Sequence, residues 1–399
     1  MDQQSKITWN PFNPGYFNDP YDHLKTCREE NPIHKVFSNS WIFFRYHDIN
    51  SILSSNRFEV SELSEFFKEK EPYIFKNTDA CPFLSKGTSM WPMYLNDEVH
   101  KITRTVMGKS LNLKNLDTVL AEFVGHVNHD YRGRRELDLV LYCSHYIFLV
   151  VREILGLENA DDFENIRQYS SRLAQSQDVY IPRQTYLEIN SWLLWGREMI
   201  RQSGFEEKVA HHSSQLGRSY TDEESYSITA IALMAAFETS KDNLSAALHC
   251  IIQDIKLMDY ILECSAEQLN LLIEEFFRFT SPLQYTVRVN KDPLEFAEIK
   301  IPAYSKLYLC LASANRDARA FESPDEILPD RTPNEHLSFG KGVHFCLGAN
   351  IARQEMRLCL KPMVNFLKDY RIKGAAQVKW SKQIFMRTIE SVELEAKLQ

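Results

Sequence analysis

The chain has 399 residues, 44% hydrophobic content, 13 glycines and a formal net charge of -8. This length and apolar content suit one large core, and the acidic balance argues against nucleic-acid binding, which favours basic surfaces. The eight scattered cysteines form no CxxC pair, so we expect reduced thiols in a cytoplasmic protein. The polar N-terminus does not resemble a signal peptide, and no apolar run is long enough to span a bilayer.

Long amphipathic segments dominate the chain and predict a mainly α-helical fold with a small β region. The order opens with a helix at 20–30, a hairpin formed by "IHKVF" and "WIFFRY", and a helix at "DINSILSSN". The stretch 58–95 is rich in aromatic residues and shows no clear period, which is typical of functional or mobile segments.

Helical periodicity continues through the middle of the chain and near its end. The predicted helices are 97–111, 116–132, 138–155, 161–175, 184–202, 222–258 with a break near Cys250, 266–280 and 347–369. Strands are predicted at 284–289 and 305–310, and the tail "IFMRTIESVEL" alternates like a strand. Without a repeat, low-complexity tract or linker, the sequence predicts a single domain over 1–399.

A cysteine lies between glycines in "HLSFGKGVHFCLGANIARQE", residues 336–355. Glycines let backbone amides approach an atom closely, and amides and a helix N-terminus both stabilise a thiolate. A thiolate held in this way at Cys346 is a good axial ligand for haem iron. The alternative is a structural cysteine in a glycine-rich turn.

The complete pattern of Phe339, Gly342, His344, Cys346 and Gly348 resembles the signature of the cytochrome P450 family. The resemblance implies a cytochrome P450 fold, mainly α, in which a single large domain encloses haem b. It also implies that Cys346 binds the iron and that Phe339, His344 and Gly348 belong to the haem-binding loop.

A second segment, "IEEFFRFTSP", resembles the family's Glu-x-x-Arg motif through Glu275 and Arg278. Alone, an acid and a base at i and i+3 usually form a solvated surface pair. The resemblance implies a buried structural pair tied to the segment before the cysteine loop, with Arg316 and Arg331 as candidates for the same polar network.

Basic residues elsewhere suit the carboxylates of haem. Arg288 follows in "QYTVRV", and arginine is suited to a bidentate grip on carboxylate. His100 and Arg104 lie at i and i+4, on one helical face. The resemblance implies that these three residues and His344 bind the haem propionates, and the alternatives are an exposed strand arginine and a solvated helix face.

The longest predicted helix carries a polar cluster, Glu238 and Thr239, inside an apolar stretch. The resemblance implies that this helix covers the distal haem face, with Ala235 beside the haem and the acid–alcohol pair delivering protons while dioxygen, the co-substrate, is activated. Ala236 stands where the family's pattern has glycine, and its methyl would narrow the dioxygen groove. The alternative for Thr239 is a structural hydroxyl bonded to a carbonyl one turn earlier.

The resemblance implies a bacterial-type monooxygenase of secondary metabolism that hydroxylates or oxidatively couples a mostly apolar small molecule, free or bound to a carrier protein. The expected substrate-access regions are 58–95 and 173–195. The candidate pocket residues are Trp91, Phe237, Tyr285, Thr286, Phe385 and Met386. Two alternatives stay open, a peroxide-driven peroxygenase on the same fold and a haem protein that binds or senses a ligand without turnover.

The resemblance implies that electrons come from a ferredoxin or flavodoxin with its reductase. The chain is expected to be a monomer that binds neither nucleic acid nor membrane. A docking face for this partner is predicted on the cysteine-ligand side, although helix-surface cations are usually only solvated. Its basic residues are Lys101, Arg104, Lys341, Arg353, Arg357 and Lys361.

Overall fold

The computed structural model describes residues 7–13, 15–111, 116–157, 163–200, 203–374 and 378–397. The chain divides into two compact units. Unit 1 contains Met1–Val60, Arg134–Val140 and Asp242–Gln399, and unit 2 contains Ser61–Gly133 and Leu141–Lys241.

Helices account for most of the described residues, which confirms the mainly α fold class. They are α1 (Tyr21–Glu30), α2 (Tyr46–Leu53), α3 (Leu63–Ile74), α4 (Leu84–Gly87), α5 (Asp97–Ser110), α6 (Leu116–Tyr131), α7 (Leu139–Leu155), α8 (Phe163–Gln175), α9 (Arg183–Ile200), α10 (Gly204–Gln215), α11 (Asp222–Gln253), α12 (Ile255–Glu263), α13 (Ala266–Thr280), α14 (Leu311–Ala314) and α15 (Ala349–Leu367). Short 3₁₀ helices cover Pro92–Tyr94 and Gly342–His344. Over the described ranges, no helix is both long enough and apolar enough to cross a bilayer.

The described strands lie in unit 1. They are β1 (Ile33–Phe37), β2 (Ser40–Phe43), β3 (Phe58–Glu59), β4 (Glu136–Asp138), β5 (Tyr285–Asn290), β6 (Leu294–Phe296), β7 (Ile299–Ile301), β8 (Lys306–Cys310), β9 (Tyr370–Ile372), β10 (Lys379–Trp380), β11 (Ile389–Ser391) and β12 (Glu393–Ala396). The largest sheet has the order β1-β2-β8-β5-β3. The predicted hairpin is β1–β2, and β2 runs parallel to β8.

The five-stranded sheet of unit 1 positions β5 and the cysteine loop. Leu307 and Leu309 of β8 are fully buried, because residues two apart along a strand face the same side. They share a core with Ile49 and Leu53 of α2 and with Leu337, which precedes the cysteine. The end of α2 therefore lies against the segment that carries Cys346.

Unit 2 is built from closely packed helices. Gly196 of α9 lies against Tyr169 of α8, and a Cβ added at Gly196 would collide with that ring. The Tyr226 hydroxyl of α11 donates to the Leu193 carbonyl at 2.5 Å and lies 3.0 Å from the Tyr169 hydroxyl. A small residue and shared hydroxyls thus fix α8, α9 and the first part of α11 against each other.

Most predicted helices agree with the structure to within a few residues. The helix predicted at 266–280 coincides with α13, because Ser265 and Gln268 form a reciprocal capping box at its start. The long helix continues past Cys250 and ends at Gln253. It ends there because the Asp254 carboxylate accepts the amides of Lys256 and Leu257 and so starts α12.

The prediction of an irregular segment at 58–95 is wrong, and the prediction of a strand in the tail is confirmed in part. The stretch 58–95 is largely ordered, since α3, α4 and a 3₁₀ helix occupy much of it. The tail becomes a strand only at Ile389, after an isolated bridge between Leu283 and Met386. Helix α10 lies where no helix is predicted, although Ser203 caps it by accepting the Glu206 amide. The predicted helix ends at 161–162 and 201–202 lie outside the described residues.

Candidate active site

The cysteine loop, residues 336–348, closes through backbone hydrogen bonds within unit 1. The Cys346 amide donates to the Phe339 carbonyl at 2.8 Å, and the Phe345 amide donates to the Gly342 carbonyl at 3.0 Å. Gly342 has φ +70°, and a Cβ there would collide with the Leu53 carbonyl, so the loop requires glycine. The loop presents Cys346 as an exposed side chain immediately before α15.

The position of Cys346 favours a thiolate. Helix α15 begins at Ala349, and Gly348 occupies its N-cap position. The partial positive charge of a helix N-terminus stabilises an anion placed there. The Cys346 sulfur lies 4.0 Å from the point where a Cβ on Gly348 would stand, so Gly348 is next to the sulfur.

Behind the loop, the Glu-x-x-Arg pair is fully buried, which confirms its predicted structural character. Arg278 forms two 2.7 Å hydrogen bonds with the Glu275 carboxylate. Arg331 adds contacts of 2.9 and 3.0 Å to the same carboxylate, and the Leu328 amide donates to it at 2.9 Å. Arg278 also bonds the Asn315 carbonyl at 2.8 Å. The pair therefore anchors the segment that leads to the cysteine loop.

Arg288 is a buried cation on β5, in the same unit as the cysteine loop. Its guanidinium donates to the Thr286 hydroxyl at 3.2 Å and to the Val287 carbonyl at 2.9 Å. In the part of the chain that the structure describes, Arg288 has no carboxylate partner. Burial lowers its pKa to about 10. A buried guanidinium without an anion is unfavourable, so this position suits an anionic group of a bound molecule.

The His-x-x-x-Arg pair lies on α5 of unit 2. His100 is buried and Arg104 is half-buried, one helical turn further on. The neighbouring Thr103 is also buried, with its hydroxyl 3.2 Å from that of Tyr220. The pair therefore shares one face of the helix, as predicted.

The middle of α11 has one partly open face within unit 2. Between Ser225 and Lys241, the residues that are not buried are Ala235, Ala236, Thr239 and Ser240. They recur at i, i+1, i+4 and i+5, which is one stripe of a helix. Thr239, Ala235 and Ala236 therefore face the same space, and Phe237 and Glu238 are buried on other sides.

The two polar residues of this helix have different partners. The Thr239 hydroxyl donates to the Ala235 carbonyl at 2.7 Å, which is the contact that the structural alternative requires. Its oxygen still has lone pairs that accept a proton donor. Glu238 pairs with the Lys241 ammonium at 2.9 Å, and both side chains are buried. Sequence reasoning missed Lys241, although its i+3 spacing from Glu238 is the available signal.

The candidate pocket residues differ in accessibility. Trp91, Phe237, Tyr285 and Met386 are buried, whereas Thr286 and Phe385 are partly exposed. The Tyr285 hydroxyl lies 2.5 Å from that of Tyr16, and its ring centroid is 5.3 Å from that of Trp9. Tyr285 therefore packs on the N-terminal segment of unit 1. The Phe385 carbonyl accepts the Gln284 amide at 2.9 Å and joins two of the predicted pocket segments.

These residues fit haem in unit 1. The glycine loop presents an exposed thiol beside a helix N-terminus, which suits an axial thiolate. Arg288 offers a buried cation without a protein anion in the described residues, which suits a propionate.

Comparison with known proteins agrees with these features. The family model described as "Cytochrome P450" matches residues 197–388. A cytochrome P450 119 of Sulfurisphaera tokodaii is 28% identical over 369 residues, which cover 88% of this chain and 93% of that protein. The polyketide biosynthesis cytochrome P450 PksS of Bacillus subtilis is 23% identical, and the alignment covers 97% of this chain and 98% of that protein.

A solved structure supports the same fold. It is P450BioI in complex with an acyl carrier protein ligated to hexadec-9Z-enoic acid, with a TM-score of 0.84 and 22% sequence identity. The alignment covers 96% of this chain and 100% of that one. The cysteine signature, the family model and these relatives all show similarity to the cytochrome P450 family. The chain is an oxidoreductase of the monooxygenase class.

Proposed function

We propose that this protein uses haem b, bound through Cys346, to insert one oxygen atom of dioxygen into a mostly apolar small molecule. A thiolate-bound haem supplies dioxygen activation, because electron donation from sulfur favours O–O cleavage. The observation that carries the proposal is the cysteine loop, in which glycine geometry and the start of α15 present one exposed sulfur. Arg288 and His344 are proposed to bind the propionates, and the sequence motif assigns the same role to His100 and Arg104.

Replacing Arg288 by alanine is expected to weaken haem retention. Each hydrogen bond to a buried charged group contributes on the order of 1–3 kcal/mol, so haem should dissociate at least several-fold faster. Haem transfer to apomyoglobin measures that rate. Arg371→Ala, which removes a strand arginine paired with Glu395 on the surface, is the control. Equal rates of haem loss from both variants would show that Arg288 does not bind a propionate.

Thr239 and Glu238 are proposed to control the proton supply. Thr239 lies on the partly open stripe of α11, which we propose as the side of the helix that faces dioxygen. Glu238 is buried, with one carboxylate oxygen bonded to Lys241 and the other without a hydrogen-bond partner among the described residues. An unpaired buried carboxylate oxygen is costly, so this atom is ready to accept a water-borne proton and pass it on.

Thr239→Ala should keep substrate binding and divert reducing equivalents to hydrogen peroxide. The hydroxyl that organises a proton donor is lost, while the apolar contacts of the stripe remain. Thr239→Ser, which keeps the hydroxyl, is the matched control. Peroxide formed per nicotinamide consumed is the measurement, and an unchanged yield in Thr239→Ala would leave only the structural hydrogen bond to Ala235.

Replacing Ala236 by glycine should raise the coupling of nicotinamide consumption to product if the methyl narrows the groove. The same peroxide yield measures this change.

The substrate is proposed to be a secondary metabolite, free or tethered to a carrier protein. The support is the apolar character of Trp91, Phe237 and Met386 and the names of two relatives, one acting in polyketide biosynthesis and one bound to an acyl carrier protein. Candidate substrates that carry a carboxylic acid should be titrated into the haem protein, both as free acids and as thioesters of a carrier protein. A shift of the Soret band from low spin to high spin identifies the preferred form.

Electrons are proposed to come from a ferredoxin or flavodoxin with its reductase. Arg357 is exposed on α15, whereas the Lys361 ammonium donates to the Cys264 carbonyl at 2.6 Å. If a basic face steers the partner, electron transfer should slow as salt rises, because charges are screened beyond about 10 Å at 0.1 M.

Substrate-dependent nicotinamide consumption with surrogate partners tests the monooxygenase directly. Turnover with peroxide alone would favour a peroxygenase, and ligand binding without turnover would favour a sensor.

A further inference from the structure

An ion-pair network lies beside the cysteine loop in unit 1. Arg353, on the first turns of α15, donates from Nε to the Glu274 carboxylate at 2.6 Å and from Nη2 at 2.8 Å. His336 contacts the same carboxylate through Nε2 at 3.2 Å, and its Nδ1 accepts the Ser338 amide. Burial opposes ionisation of Glu274, but the bonds from Arg353 and His336 outweigh it and lower its pKa to about 2. The pair is therefore charged at any ordinary pH.

Arg353 also contacts the aromatic residue of the loop. Its guanidinium lies 4.8 Å from the ring centroid of Phe339. That ring packs against Phe277 in a tilted arrangement, with centroids 4.6 Å apart, and the Phe339 carbonyl accepts the Cys346 amide. An aromatic ring attracts a cation that lies over its face. Arg353 therefore helps to hold Phe339, whose carbonyl accepts the amide of Cys346, the proposed axial ligand.

The charge of Arg353 acts on the sulfur as well. Its pKa is raised chiefly by the hydrogen bonds to Glu274, against a lowering by burial, and the negative charge of Cys346 adds to the rise. A fixed positive charge near the sulfur draws electron density away from the iron. It favours the ferrous state over the ferric state, because the ferrous state carries one positive charge less. The negative charge of Glu274, which is hydrogen-bonded to the guanidinium, opposes this effect.

We propose that Arg353 is a positioning residue for the axial ligand, and that the balance of its charge against Glu274 sets the reduction potential of the haem. This inference rests on the proposed function, in which Cys346 binds the iron. It assigns Arg353 a role inside the protein rather than only in partner docking.

The two partners should shift the potential in opposite directions. Arg353→Met removes the positive charge and lowers the potential, whereas Glu274→Gln leaves the arginine charge less compensated and raises it. We expect at least about a threefold change in the ferric-to-ferrous ratio at fixed potential, equal to about 28 mV at 59 mV per tenfold change for one electron. Spectroelectrochemistry of the full-length haem protein with small mediators measures it without a redox partner.

The sign pattern separates this role from a merely structural one. If the pair only held the loop in place, both variants would loosen the same contacts and shift the potential in the same direction, which would overturn the proposal. Arg357→Met is the matched control, since it removes an exposed charge on the same helix and should have a smaller effect. An equal shift in Arg353→Met and Arg357→Met would also overturn it. Arg353→Lys keeps the charge without the planar fork and should fall between wild type and Arg353→Met.

The carbonyl complex distinguishes the two levels of failure. If the reduced wild-type protein lacked the red-shifted Soret band of a thiolate haem, the assignment of Cys346 would fail. If the band is present in wild type and variants but the potentials do not move in opposite directions, only the role of Arg353 and Glu274 fails.

Discussion

Replacing Cys346 by alanine is expected to abolish the strongly red-shifted Soret band of the reduced carbonyl complex. That band requires a thiolate opposite the carbonyl ligand, and the loop presents the Cys346 sulfur outward beside the start of α15. Alanine is smaller than cysteine and keeps the backbone bond from residue 346 to the Phe339 carbonyl, so the loop should stay closed. Any haem that remains bound should show an unshifted band, and substrate oxidation should fall to background.

An exposed cysteine elsewhere provides the control for this variant. Cys81 is exposed in unit 2, with its sulfur 3.9 Å from the Pro82 carbonyl. Cys81→Ala should keep the red-shifted band and the activity, because Cys81 is not part of the glycine-bracketed signature. Retention of the band in Cys346→Ala would show that another residue holds the iron.

The cysteine loop was predictable because its requirements are local. Glycine at 342 is needed for a positive φ and for the close approach of Leu53, and both needs leave a mark in the sequence. The contact of Arg353 with Glu274 joins residues 79 positions apart, so no sequence window contains it. The lack of a carboxylate partner for Arg288 among the described residues also depends on the tertiary fold. Such features become visible only when distant segments are placed together.

Helix prediction failed where local signals conflicted with packing. Helix α3 contains Pro72, a helix breaker, and its apolar residues show no clear helical period, although its Glu and Lys residues favour a helix. Phe67 and Ile74 of this helix are nevertheless buried at a spacing of two turns, and the Glu71 carboxylate accepts the Ser85 amide from the next helix. Tertiary contacts therefore stabilise a helix despite Pro72. The capping box of α13, by contrast, lies within four residues and predicts the start of that helix.

Replacing Glu275 by alanine should destabilise the protein more than any surface substitution. The change leaves the guanidinium groups of Arg278 and Arg331 buried without their shared anion. Removing one partner of a buried ion pair costs roughly 3–5 kcal/mol. The melting temperature and the fraction of haem retained after purification should both fall. Glu390→Ala, which breaks an exposed ion pair with Lys379, is the control and should change stability by about 1 kcal/mol or less.

The pH dependence of unfolding gives a second measurement of the Glu275 cluster. Burial alone would raise the pKa of Glu275, but the hydrogen bonds and charges of Arg278, the Leu328 amide and Arg331 outweigh it, so the pKa is lowered. A carboxylate with a lowered native pKa stabilises the fold above its unfolded pKa of about 4.3, and this contribution is lost as the pH falls through the native pKa. The wild type should therefore lose stability below about pH 4.3 more steeply than Glu275→Ala, whose cluster has no carboxylate to protonate. Parallel acid unfolding curves for the two proteins would mean that the Glu275 carboxylate is not held ionised by the arginines.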